Sequence, residues 1–280
     1  MHAIDSAAIV GLGLIGGSLA RDLAARGVRV LGADRERSTV EAAAAEGVVE
    51  ALAADFAGIE DASVVVLAVP VTETPALVEA LAARSCRARL VMDLGSTKRT
   101  TVAAAAETPL GDRFVGAHPL AGDHRSGWSA SRAGLFSGAR VFLSPAPQAG
   151  EDAIGLAIEL WSAVGAAPEA IEPGEHDRLL ARTSHVHQVA ATALGLAMAA
   201  EGIPRRELGP GGETMTRLAG SSPEMWGAVC ADNGPLVGEA VAVLQQQIAR
   251  LAAALDRGDP EELRALFAGA REWFDGGGRE

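Results

Sequence analysis

Lysine is almost missing from this chain. Lys98 is the single lysine among 24 basic residues, tyrosine does not occur, and Asn233 is the single asparagine. An arginine- and alanine-rich usage of this kind is most simply a genome-composition bias, and it raises the information carried by the exceptions. A lysine that survives where arginine has replaced all others is expected where a compact ammonium is needed. The two cysteines, Cys86 and Cys230, are far apart and form no metal or redox spacing. Their simplest account is a pair of reduced thiols in a cytoplasmic protein. No apolar run is long enough to span a membrane. The best candidate, 189–200, is alanine-rich and is stopped by Glu201, Gly202 and Pro204. The beginning of the chain has no basic stretch ahead of a cleavable apolar one, so 7–17 reads as a strand and turn. Positive charge is also in deficit. A formal net charge of −12 argues against non-specific nucleic-acid binding, and it means that an anionic ligand needs arginines concentrated locally.

What is present suits a protein with a large core and two domains: 280 residues, 49% of them hydrophobic. Ala7-Ala8-Ile9-Val10 is a short buried-strand run. It leads into Gly11-Leu12-Gly13-Leu14-Ile15-Gly16-Gly17, followed by helical periodicity from Ser18 to Ala24. This is the G-x-G-x-x-G pattern between a strand and a helix, the context in which it cradles a dinucleotide pyrophosphate. Gly11, Gly13 and Gly16 are the three glycines, with Leu14 and Ile15 between them. The second strand, Val28 to Ala33, ends at Asp34. A carboxylate there hydrogen-bonds the adenosine ribose and repels a 2′-phosphate, which favours NAD over NADP. Arg35 and Arg37 pull the other way, and Arg35 can equally stack on adenine. A continuous apolar strand, Ser63 to Val69, ends at Pro70, and the turn through Val69, Pro70, Thr72 and Thr74 is expected beneath the cofactor's ribose and nicotinamide.

Two further strand ends carry chemistry. Arg89 to Asp93 runs into Asp93-Leu94-Gly95-Ser96-Thr97-Lys98, which sets a hydroxyl and an ammonium at the carboxyl edge of a strand. Ser96 reads equally as the N-cap of a helix from Arg99 to Ala106. The run Phe114 to Ala117 is expected to end at His118, broken by Pro119 and turned by Gly122. Histidine is the side chain whose ordinary pKa lies near neutrality, so one at a strand end is a natural acid or base. Arg140 to Pro145 and Pro168 to Ile171 read as later strands around a helix from Glu151 to Val164. The expected fold is α/β, a doubly wound Rossmann-type sheet over 1–172, followed by an all-α unit over 173–280. The helical unit opens with one helix from Glu175 to Glu201 carrying His176, His185 and His187. A glycine-rich loop at 209–212 precedes Thr214 and Arg217. A helix from Pro235 to Leu255 spaces Val237, Val241, Leu244, Ile248 and Leu251 as one apolar stripe, suited to dimerisation or to internal core.

These motifs, in this order, resemble the prephenate and arogenate dehydrogenases of tyrosine biosynthesis. The resemblance is carried by 10–20, Asp93 to Lys98, Gly116 to Gly122, Ser126-Gly127, Leu135-Phe136, Ser184-His185, Thr216 to Ala219, Met225-Trp226 and Asn233. It covers nearly the whole chain and takes in both the single lysine and the single asparagine. Nothing in the chain resembles a fused chorismate mutase or an ACT regulatory domain. The resemblance implies an oxidoreductase that decarboxylates a cyclohexadienol oxidatively with NAD. His118 would accept the proton of the ring hydroxyl, and Ser96 would orient it. Arg217 would hold a substrate carboxylate, and Lys98 would add positive potential. His124, His185, Gln188 and Thr214 would complete the substrate pocket, with no metal. The partner would be a small-molecule substrate and a second copy of the chain, in a cytoplasmic homodimer joined through the C-terminal helices. Three positions depart from the family pattern: His124 where glutamate is frequent, Gln188 where a second histidine is frequent, and Thr214 where aspartate is frequent. They leave open whether the side-chain group of the substrate is keto or amino, that is, prephenate, arogenate or an amino-substituted relative.

Overall fold

The computed structural model describes residues 4–52, 56–84, 86–122 and 125–276. In chain order the sheet half contains β1 (Ser6–Val10), α1 (Leu14–Ala24), β2 (Arg29–Ala33), α2 (Arg37–Ala45), β3 (Glu50–Ala51) and β4 (Val64–Leu67). It continues through α3 (Thr74–Ala83), β5 (Leu90–Asp93), α4 (Arg99–Ala106), β6 (Phe114–Pro119), β7 (Arg140–Pro145), α5 (Glu151–Ala163) and β8 (Ala167–Ala170). The helical half contains α6 (Pro173–Leu180), α7 (Val186–Ala200), α8 (Pro210–Thr216), α9 (Pro223–Asp232), α10 (Gly234–Arg257) and α11 (Pro260–Gly276).

The eight strands form one sheet in the order β3-β2-β1-β4-β5-β6-β7-β8. Among the described residues only the β6–β7 pair is antiparallel. The order reverses between β1 and β4, so the carboxyl ends of those strands open a crevice where ligands of doubly wound sheets bind. The central strands are apolar on both faces because helices cover both. Ile9, Val66, Met92, Val115 and Val141 belong to one buried cluster with Trp161 of α5, whereas Val10, Val65, Leu67, Val91 and Phe114 belong to the other. Phe136 and Trp161 meet edge to face at 5.2 Å in the first cluster, a favourable aromatic geometry.

Several boundaries differ from the sequence reading, each for a local reason. β6 does not stop at His118. It continues through Pro119, which lies opposite Val141 of β7. A proline is tolerated there because the next amide, Leu120 N, takes up the ladder by donating to Arg140 O at 2.8 Å. Gly211 and Gly212 lie inside α8 rather than in a loop, since Pro210 starts the helix at a position that suits proline. The expected helix from Glu175 to Glu201 is divided by a π-helical turn over Ala181–His185. Ser96 does not cap α4. The cap position is Lys98, without a side-chain cap of its own, and the free amides are received by Asp177 of α6.

Candidate active site

The crevice at the β1/β4 switch holds about 890 Å3, lined by Val10, Gly11, Gly13, Asp34, Arg35, Val69 and Pro70 among others. Gly11 has φ +95°, and a Cβ there would collide with the Ala68 carbonyl. Only glycine allows that turn. Gly16 is pressed against the Gly11 carbonyl, while the space over Gly13 is open. Gly13 is the N-cap of α1 and supplies no capping side chain, so the amides of the first turn face the crevice as a site for a pyrophosphate. Asp34 is locked by Leu12 N at 2.7 Å and Glu36 N at 2.9 Å. The residues therefore fit a dinucleotide. They fit an unphosphorylated ribose better than a 2′-phosphate, because Asp34, Glu36 and Glu73 bring three carboxylates to the crevice and Arg35 lies 3.7 Å from Glu73. Thr74 is a correction. It is wholly buried, and its hydroxyl donates to Pro70 O at 3.3 Å, so it does not line the crevice.

Beside this crevice lies a cavity of about 670 Å3. Leu14 and Ile15 from the start of α1 form one wall, and Ser96, His118 and His185 stand on the others, with Arg140, Phe142 and Trp226. His118 and Phe142 are cross-strand partners on one face of the sheet. Phe142 also meets His176 edge to face at 5.7 Å. Burial drives the His118 imidazole well below its ordinary pKa, helped by His176, Lys98 and His185, so the ring is neutral at neutral pH. Burial likewise lowers His185 to about 4.

Lys98 is not on the cavity wall. It is completely buried, and its ammonium is hydrogen-bonded to Asp93. Gly116 leaves room for the lysine stem, since a Cβ at Gly116 would stand 3.0 Å from Lys98 Cδ. Burial pushes the Lys98 ammonium down and the Asp93 carboxyl up from their ordinary values, against their mutual attraction. The single lysine is a buried structural charge behind the site rather than a contact for substrate. Gln188 is also buried away from the cavity, with Nε2 donating to Leu218 O at 2.8 Å. Thr214 is exposed on α8 and its hydroxyl donates to Pro210 O at 2.9 Å. Arg217 is exposed, off the wall of this cavity within one chain, and makes no ion pair among the described residues. His124 lies outside the described residues.

Two groups were missed in the sequence. His176 Nε2 lies 2.9 Å from His118 Nδ1, and His176 Nδ1 lies 2.8 Å from Asp177 Oδ1. The only signal was a His-Asp pair at the domain boundary, 58 residues from His118. In the sequence Arg140 reads as an ordinary strand residue. It lines the cavity, pairs with Glu169 at 2.7 Å and sits over the Phe142 ring at 4.9 Å.

Comparison with known proteins agrees with this geometry. Residues 19–169 match the family model for the nucleotide-binding domain of prephenate dehydrogenase, and residues 172–269 match the model for its dimerization domain. A prephenate dehydrogenase of Bacillus subtilis is 31% identical over 97% of this chain and 76% of that protein. A cyclohexadienyl dehydrogenase of Zymomonas mobilis is 29% identical over 84% of this chain and 83% of its own. The crystal structure of A. aeolicus prephenate dehydrogenase in complex with hydroxyphenyl propionate and NAD+ superposes with a TM-score of 0.88, at 28% identity over 96% of each chain. A nucleotide crevice, a neutral strand-end histidine beside it and two successive family matches lead to one conclusion: this chain belongs to the prephenate dehydrogenase family.

Proposed function

We propose that His118 is the base in an NAD-dependent oxidative decarboxylation of prephenate to 4-hydroxyphenylpyruvate and carbon dioxide. One observation carries the assignment. The neutral imidazole of His118 lines the same cavity as Leu14 and Ile15, residues that lie among the crevice glycines, so base and cofactor meet at one substrate. NAD, when bound, supplies the hydride acceptor. His118 Nε2 accepts the proton of the ring hydroxyl as the C–H pair leaves the same carbon. It returns that proton to the oxygen as the ring carboxylate departs and the ring becomes aromatic. Because aromatisation drives the reaction, the protein needs only to position its reactants, hold one proton and receive an anion. Ser96, which lines the same cavity, orients the imidazole or the hydroxyl. Arg217 keeps the part of carboxylate partner, which its exposed guanidinium, without an ion pair among the described residues, supports. Asp34 receives the adenosine ribose.

The active form is a homodimer joined through the helical half. The match to a dimerization domain supports this, as do the apolar side chains left uncovered there. The division of labour falls at residue 172, between β8 and α6. The reaction belongs in the cytoplasm, where a nicotinamide enzyme with two unbridged cysteines is at home. Among the described residues no helix is long and apolar enough to cross a membrane.

The test is NADH formation with prephenate and with arogenate at equal concentrations, by the natural chain and by His118→Ala. Turnover of prephenate is expected to exceed that of arogenate. The variant should lose about 1,000-fold in kcat while NAD affinity stays within about twofold. Near-normal turnover by His118→Ala would remove the histidine from the chemistry, and a preference for arogenate would change the substrate.

A further inference from the structure

We propose that His176 is a positioning residue. It accepts a hydrogen bond from Nδ1–H of His118 and so fixes His118 in the tautomer whose Nε2 is bare. The inference rests on the reading of His118 as the base and adds what makes its one nitrogen available.

The direction of the chain follows from its far end. Asp177 Oδ1 receives the Lys98 amide at 2.8 Å, and Oδ2 receives the Arg99 amide at 3.0 Å. Burial works against ionisation of this carboxyl, but hydrogen bonds from His176 and from both amides hold its pKa below the ordinary value. An ionised carboxylate only accepts hydrogen bonds. The His176 Nδ1 that stands 2.8 Å from Asp177 Oδ1 therefore carries a hydrogen. His176 is wholly buried, and its burial outweighs the pull of Asp177, so the ring is neutral. A neutral imidazole has one N–H. With Nδ1 protonated, His176 Nε2 is an acceptor, and the only polarity left for the 2.9 Å contact is His118 Nδ1–H donating to it. His118 is then left with Nε2 as its single lone pair.

The geometry makes this a fixed arrangement rather than a transient one. His118 and His176 rings stand edge to face, 5.1 Å apart at 66°. Phe142 holds His176 from the strand side. Asn233 Nδ2 donates to the Asp177 carbonyl at 2.9 Å. The carboxylate is pinned at the start of α4 by two backbone amides that no side-chain rotation can remove. When Nε2 of His118 takes the substrate proton, the resulting imidazolium faces a polarised path to an anion, while the proton itself stays on His118. The arrangement follows the logic by which a buried carboxylate orients a catalytic histidine, with a second imidazole interposed. Without His176 the His118 ring has no partner at Nδ1 among the described residues, and both tautomers become available.

The experiment compares His176→Gln with His176→Asn. In the first the amide reaches both neighbours, with oxygen toward His118 and nitrogen toward Asp177. In the second it keeps only the Asp177 contact. Two readouts are taken: steady-state kinetics with NAD and prephenate, and long-range 15N–1H correlation spectra of 15N-histidine-labelled protein, which assign the tautomer of each of the six histidines. In the natural chain His118 is expected as the Nδ1–H tautomer. His176→Asn is expected to lose about 100-fold in kcat, with the KM for NAD unchanged and His118 in mixed tautomers. His176→Gln should recover to within about fivefold and keep the single tautomer. Equal activity of the two variants, or a His118 tautomer indifferent to His176→Asn, would overturn the proposal and leave His176 as a packing residue. The spectra do not depend on turnover. Should His118→Ala prove active, the base assignment falls while the tautomer result still decides the role of His176.

Discussion

The two halves of this chain are built on opposite economies of surface. In the sheet half nearly every apolar side chain of the central strands is buried, and the two clusters are closed by the chain's own helices. In the helical half the only buried hydrophobics of α9, α10 and α11 are Val229, Val237, Ala240 and Ala254, and α11 buries none. Phe267, Trp273 and Phe274 of α11 are between 66% and 79% exposed, and Ile248 and Leu255 of α10 are also uncovered. A patch of that kind marks a surface meant for a partner. The sheet half contains its own core, whereas the helical half leaves large apolar side chains uncovered within one chain. The seam between them holds His118, His176, Asp177 and His185, so the proposed chemistry sits where a closed core meets helices with uncovered apolar surface.

The largest test of this contrast removes the dependence. The double substitution Phe267→Asp and Trp273→Asp should weaken the dimer about a million-fold, since each protomer loses two aromatics and burial of each contributes roughly 2 kcal/mol. Sedimentation over a dilution series would read the loss, and NAD binding to the sheet half should be unchanged. A dimer of undiminished affinity would mean that α11 faces solvent for another reason.

Acid probes the seam. Burial places His185 at about 4 and pulls His118 and His176 below their ordinary values. In that window the unfolded chain binds more protons than the folded one, so stability rises with pH. It should be complete above about pH 6.5, the pKa of an unconstrained histidine, and should fall as pH drops toward 4, with His185 alone accounting for about 3 kcal/mol. Urea unfolding at pH 7.0, 5.5 and 4.5 would measure it. A flat profile would show that these rings are not held neutral.

The smallest effect is expected wholly within the sheet half. Asp34→Ala should weaken NAD about tenfold and narrow the preference over NADP, because it removes a carboxylate from the ribose end of the crevice. Unchanged cofactor selectivity would shift that role to Glu36 or Glu73.

The sheet was legible in the sequence because its signals are local. A strand of Val64 to Leu67 or a turn of Gly11 to Gly16 is specified by consecutive residues, and those elements form within a residue or two of where the pattern puts them. The cavity was half legible. His118 lies next to the last residue of β6 and Ser96 just beyond β5, places that a sequence reveals, and both line the cavity. Lys98 stands out in the sequence as the single lysine and reads as a source of positive potential for substrate, whereas the structure buries it completely. Nothing in its neighbours tells that Gly116, far along the chain, clears a buried path to Asp93. His176 and Asp177 were missed because their partners, His118 and the amides of Lys98 and Arg99, are long-range contacts that only the crossing of α6 over the sheet creates.

The Asp177 carboxylate draws a consequence for inheritance. On the sheet side it grips two main-chain N–H groups, which every residue but proline supplies. Residue 99 could change identity without loosening the joint, provided it does not become proline, whereas residue 98 is held as lysine by its separate buried pair with Asp93. On the helical side the grip requires one aspartate. Such a fastening is indifferent to most sequence drift in one of its parts. Sheet and helical halves drawn from diverged relatives should therefore still lock together here when the histidine pair and that aspartate are retained.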